Sequence, residues 1–141
     1  MTFFFDANIG DFMVRGLRGF GEDVCHLTEH FPADTIDPVW LQFVGQHGMW
    51  LVSRDKRIRR RPAELQALTR YQVGAFFLVG KEMGKWAQIG QIVHAWPRIT
   101  EAAATTKAPF AFRVDRYGHD VSRLPLPRAR NPQARHPASV Q

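Results

Sequence analysis

Apolar residues fall along this chain in short blocks of strand length, and stretches of helical spacing lie between them. Residues 2–6, TFFFD, form the first block and end on a carboxylate. From Ile9 to Phe20, the positions Ile9, Phe12, Met13 and Leu17 recur as one face of a helix, and Gly19 and Gly21 mark its exit. EDVCHL (22–27) predicts a second strand, followed by a loop rich in His, Pro and Asp. DPVW opens the next helix, with Asp37 suited to the N-cap and Pro38 to the first helical position. Val39, Leu41, Phe43 and Val44 supply its apolar surface, and QHG closes it.

MWLVS (49–53) reads as a third buried strand and runs straight into RDKRIRRRP. Residues 62–70 predict a helix with Leu65 and Leu68 facing inward, and VGAFFLV (73–79) predicts a fourth strand. Residues 84–105 read as mainly helical with an interruption near Pro97. FAFRV (110–114) alternates like a strand, DRYGHD supplies a turn and VSRL returns, which makes a C-terminal β-hairpin.

The order β-α-β-α-β-α-β predicts an α/β fold, with a mainly parallel sheet covered by helices through right-handed crossovers. From Pro125 the pattern stops. PLPRARNPQARHPASVQ holds four of the nine prolines, three arginines and no aromatic residue. Such a segment has too little apolar surface to form a core. The expected organisation is therefore one domain over residues 1–124 and a basic, disordered tail over 125–141.

Composition narrows the partners more than the fold. Of 141 residues, 45% are hydrophobic, which suits a single packed domain. The net charge of +6 favours polyanions, with nucleic acid foremost and an anionic membrane or acidic protein as alternatives. The single cysteine, Cys25, allows no internal disulfide and suits a reducing cytoplasm. No apolar run reaches the ~20 residues that span a bilayer, and the first residues have no signal-peptide pattern. Neither a P-loop nor a dinucleotide fingerprint nor a nucleophile elbow is present. Cys25, His26 and His30 lie close in sequence, but no second cluster follows at zinc spacing. The four tryptophans fall in strand or helix patterns and are expected in the core.

The carboxylates carry the candidate chemistry. In parallel α/β sheets, ligands bind beyond the carboxyl ends of the strands. Asp6 follows the first predicted strand, Asp55 follows the third, and Asp37 opens the helix after the second, so all three belong to one rim. Like charges repel in a shared site unless a cation lies between them. A hard divalent ion, Mg2+ or Mn2+, takes oxygen ligands and can assist phosphodiester hydrolysis. Each acid also has a structural reading: Asp6 as a cap or Asx-turn, Asp37 as a cap, Asp55 as a turn residue. Asn8 fits either a cap or a group orienting a carboxylate, while Asp11 and Asp34 read as solvated acids near the rim.

RDKRIRRR (54–61) holds six basic residues in eight and begins at that rim. With Asp55 embedded in it, the segment suits a phosphate-tracking surface, in which Arg54, Lys56 and Arg57 contact RNA. Single-stranded RNA fits such a groove, and no base-reading motif is visible.

Taken in order, FFFDANIGDFMVRGLRGFGEDVCHL, IDPVWLQFVGQHGMWLVSRDKRI, RDKRIRRRPAELQAL and GAFFLV resemble the PIN-like group of VapC-type toxins. The likeness is close over residues 2–80 and loose over 81–123. It implies a PIN-like, three-layer α/β/α fold with a central, mainly parallel sheet and the first strand at its centre. It implies a Mg2+- or Mn2+-dependent endoribonuclease, the toxin of a type II toxin–antitoxin pair, held by a cognate antitoxin protein and often a homodimer. The family's acids fall on Asp6, Asp37 and Asp55. Two departures are visible: the family's Asp-Glu-Asn becomes Asp6-Ala7-Asn8, and Arg57 stands where many relatives carry a further acid. Both make the site less acidic, which favours one metal over two, or a site completed by a partner.

Two rival readings follow from the residues. A non-catalytic PIN-like module would bind RNA or protein without cutting. An aspartyl-phosphate enzyme would use Asp6 as nucleophile, but DANIG lacks the second acid of dehalogenase-like proteins, and no paired acids follow the first strand as in receiver domains.

Overall fold

A computed structural model describes residues 1–54 and 62–127 of the chain. Its elements are β1 (Phe3–Phe5), α1 (Asp11–Gly19), β2 (Val24–His26), a 3-10 turn (Leu27–Glu29), α2 (Asp37–Gln46) and β3 (Trp50–Ser53). α3 (Pro62–Tyr71), β4 (Gly74–Leu78), α4 (Lys85–Thr105), β5 (Phe110–Val114) and β6 (Val121–Leu124) follow. The strands form one six-stranded sheet in the order β2-β1-β3-β4-β5-β6. Every neighbouring pair is parallel except β5–β6, the antiparallel C-terminal hairpin. The α/β fold with a central, mainly parallel sheet is borne out. β1 is interior, flanked by β2 and β3, but stands one strand from the edge rather than at the centre.

The triple phenylalanine is explained by the pleat. Successive side chains of a strand point to opposite faces. Phe3 and Phe5 join the cluster under α1 and α4, with Met13, Val14, Leu17, Ile92, Trp96 and Ile99. Phe4 joins the opposite cluster under α2 and α3, with Trp40, Leu41, Val44 and Leu68. A parallel strand covered by helices on both faces needs an unbroken apolar run rather than alternation. Phe3 packs on Trp96 at 4.8 Å between ring centroids, and Phe4 stacks on Trp40 at 5.9 Å. Burying each such ring contributes about 1.5–3 kcal/mol.

Three expectations change. α4 runs unbroken from Lys85 to Thr105 through Pro97. Proline removes only one backbone donor, and Ile92, Trp96, Ile99 and Ala103 hold both halves of the helix to the sheet. Asp37 is the first residue of α2, and Ile36, in extended conformation, occupies the N-cap. Trp86 is 79% exposed, unlike the buried Trp40 and Trp96 and the partly buried Trp50. Among the described residues no helix is long and apolar enough to cross a membrane. The segment with Asp55, Lys56 and Arg57, and the expected tail from residue 128, lie outside the described residues.

Candidate active site

The site forms where β1 and β3 end side by side. Asp6 directly follows β1, its backbone N–H donates to the Val52 carbonyl at 3.0 Å, and its side chain is 6% exposed. The fully buried Ser53, last residue of β3, donates its hydroxyl to Asp6 Oδ2 at 2.8 Å. Two residues beyond Asp6, Asn8 Oδ1 accepts the backbone N–H of Arg54 at 3.1 Å. The β1–α1 loop is thereby tied to the exit of β3, the point from which the chain continues to Asp55.

His26 secures the other side of that loop. Its Nδ1 accepts the Thr28 backbone N–H, so Nε2 carries the proton and donates to the Ile9 carbonyl at 2.6 Å. The histidine in EDVCHL is therefore a buried tie between β2 and the Asp6 loop. Cys25 beside it is buried, and burial pushes its thiol pKa up to about 11. Among the described residues no group of three or more His, Cys, Asp or Glu is placed to hold a metal ion.

A cleft of about 660 Å3 opens over Asp6. Its walls are the β1–α1 loop with Asp6, Ala7 and Asn8, the approach to α2 with Asp34 and Asp37, and α3 with Glu64. Asp6 and Asp37 line the same cleft. Asp34 lines it as well, whereas Asp11 turns outward and pairs with Arg15 at 3.5 Å. Glu64 is the acid that sequence reasoning missed. Its signal is its position as the third residue of α3, in the first turn, where the rim lies. Its Oε2 is shielded from solvent. α3 packs closely on α2. A Cβ at Gly45 would lie 1.9 Å from the Tyr71 carbonyl oxygen, so only glycine permits that approach.

Arg54 stands at the opposite lip. Its guanidinium donates to Gln91 Oε1 at 2.8 Å and contacts the Met83 sulfur at 3.6 Å. Among the described residues its buried Nε has no hydrogen-bond partner. Burial lowers the Arg54 pKa from its ordinary value, and a guanidinium keeps its charge nonetheless. Gln91, itself 1% exposed, donates its amide to the carbonyls of Val79 at 2.7 Å and Asp115 at 2.9 Å. One buried glutamine thus joins the ends of β4 and β5 to Arg54.

The family model for the PIN-like domain matches residues 1–80. The chain belongs to the PIN-like domain family. PIN domains are generally nucleases, so a nuclease-type module is the functional class this membership suggests. The matched region contains Asp6, Asn8, Asp37, Arg54, Asp55 and Glu64, and ends just after β4. α4 and the β5–β6 hairpin extend this PIN-like domain beyond the match. No curated protein and no solved structure matches the chain.

The carboxylates lining the cleft are hard oxygen donors, but among the described residues they are not grouped closely enough to hold a metal ion by themselves. Asp6, Asp37 and Glu64 offer carboxylate oxygens, the ligands hard divalent ions take. The soft or nitrogenous candidates are committed elsewhere: Cys25 is buried, and both His26 ring nitrogens are bonded.

Proposed function

We propose that the chain is a metal-dependent RNA endonuclease, the toxin of a type II toxin–antitoxin pair. One observation carries the reading: within a PIN-like domain, acids from separate segments, Asp6, Asp37 and Glu64, line a single cleft at the carboxyl edge of the sheet. Asp6, Asp37 and Asp55 would hold Mg2+ or Mn2+. When bound, the ion supplies Lewis-acid polarisation of a phosphodiester. Ser53 and the rigid end of β1 keep the Asp6 carboxylate turned to the cleft. Asn8 fixes the exit of β3, from which Asp55 follows. Arg54, Lys56 and Arg57 would offset phosphate charge on the approaching strand. The net charge of +6 supports a polyanionic substrate. A cognate antitoxin would keep the toxin inactive in the cytoplasm, and a homodimer is one assembly open to it.

The test is cleavage of single-stranded RNA with Mg2+ or Mn2+ by the wild-type chain and by Asp6→Asn. Loss of cutting in the variant supports the assignment, and equal cutting rejects it. The toxin reading further expects a neighbouring gene for a small DNA-binding protein whose product binds the chain and blocks cleavage.

A non-catalytic binding module is the second reading. Ala7 favours it, because an apolar side chain lines the acidic cleft where the resembling toxins carry a glutamate. It predicts salt-sensitive RNA or protein binding with no metal-dependent cutting. Calorimetry with Mn2+ separates the two, since only the nuclease loses ion binding in Asp55→Asn.

A further inference from the structure

Two smaller hollows continue from the acidic cleft along the same edge of the sheet. The first, about 400 Å3, is lined by Asn8, Arg54, Gly80, Lys81 and Glu82, and shares Asn8 with the cleft. The second, about 300 Å3, is formed by α4 and the β5–β6 turn, with Met83, Gln91, His94, Arg116, Tyr117 and His119 in its walls. Met83 and Gln91 bridge the two, because the Arg54 guanidinium contacts both. Arg116 reaches across as well and donates to the Lys81 carbonyl at 2.8 Å.

The second hollow has ring walls. His94 and His119 meet edge to face at 5.1 Å between centroids, and Tyr117 lies 6.0 Å from His119. Tyr117 is 65% exposed. Its position is held firmly. The neighbouring Gly118 is buried with a φ of +74°, and a Cβ there would fall 2.2 Å from the Gln91 carbonyl oxygen of α4. The Arg98 guanidinium donates to the Gly118 carbonyl, and Asp115 Oδ1 accepts the Asp120 N–H at 3.0 Å. The turn is clamped to α4, so the backbone positions from which Tyr117 and His119 project are set before any ligand arrives.

We propose that this strip is a base-stacking subsite for single-stranded RNA, with phosphates on Arg54, Lys81 and Arg116 and an unpaired base against Tyr117, His119 and His94. The proposal rests on the ribonuclease reading and extends it from the cut site to the path of the strand. Bases offer a π-face whatever their sequence, and a duplex hides that face. Along the strip three cations, Arg54, Lys81 and Arg116, outweigh one acid, Glu82, which suits a phosphate backbone passing an apolar, ring-lined hollow. The ring walls of the strip, His94 of α4 and Tyr117 and His119 of the hairpin turn, lie beyond the matched residues 1–80, whereas Arg54 lies within them.

The experiment measures binding of fluorescein-labelled single-stranded RNA to the full chain in EDTA, which prevents cutting. Tyr117→Ala should weaken binding about tenfold, the loss of one base stack, while Tyr117→Phe keeps wild-type affinity. An abasic oligonucleotide should lose the same factor against wild type and nothing further against Tyr117→Ala. Arg116→Gln should flatten the plot of log affinity against log salt by about 0.7. Unchanged affinity in Tyr117→Ala, or full affinity for the abasic strand, overturns the stacking site while leaving the nuclease reading intact. Competition by polyglutamate at equal charge that displaces RNA from wild type but not from Tyr117→Ala would assign the strip to an acidic protein instead. A wild-type chain that binds no RNA overturns both readings.

Discussion

Ser53 and Asp6, 47 residues apart, share a hydrogen bond of 2.8 Å in which the buried hydroxyl holds the carboxylate at the mouth of the cleft. Hydrogen bonds to charged groups contribute about 1.5–3 kcal/mol. Ser53→Ala should therefore lower the stability of the chain by about that amount, read as a lower urea midpoint. An unchanged midpoint would show that the bond contributes nothing to the fold.

Glu64 gives a test of the cleft that no strand-end argument supplies. Glu64→Gln keeps the shape of the side chain and removes its charge. RNA cleavage should fall at least about tenfold, about 1.4 kcal/mol of transition-state stabilisation. Full activity in this variant would remove Glu64 from the site.

Gln91 joins β4, β5 and Arg54 through one buried carboxamide. Gln91→Leu leaves the carbonyls of Val79 and Asp115 without that donor, at a cost of about 1–3 kcal/mol for each stranded group. The thermal midpoint should drop. RNA affinity should drop with it, because Arg54 loses its anchor.

Two helical glycines should respond in opposite directions. At Gly16 in α1 nothing lies within 4 Å of an added Cβ, so Gly16→Ala should stabilise by about 0.5–1 kcal/mol through helix propensity. At Gly45 in α2 the same methyl meets the Tyr71 carbonyl at 1.9 Å, and Gly45→Ala should destabilise by about 1–3 kcal/mol. Chemical denaturation of both variants reads the signs directly, and a stabilised Gly45→Ala would mean that α2 and α3 pack less closely than described.

Cys25 should be inert while the chain is folded. Burial raises its pKa to about 11, above the ordinary thiol value, so almost no thiolate exists at pH 8. The sign follows: neutral thiol is favoured in the fold, and stability is lost only as pH rises through the range up to about 11. A disulfide exchange reagent at pH 8 should react within the dead time only after denaturant is added. Rapid, stoichiometric reaction of the native chain would contradict the burial.

The apolar blocks and their spacing determined the element order, the parallel sheet, the returning hairpin and the rim on which Asp6 and Asp37 sit. These are properties of local periodicity, and strand ends in a parallel sheet share an edge whatever the side chains are. What the order of elements could not give is which side chains meet across it. Glu64 lines the cleft beside Asp37, and Gly45 lets α2 and α3 pack closely. His26 is committed to the Ile9 carbonyl rather than to a ligand. Arg54 is held by a glutamine 37 residues away. The proline in α4 reads locally as a break, but packing against the sheet outweighs one missing donor. Such pairings depend on distances between segments remote in sequence, and only the packed tertiary structure sets those distances.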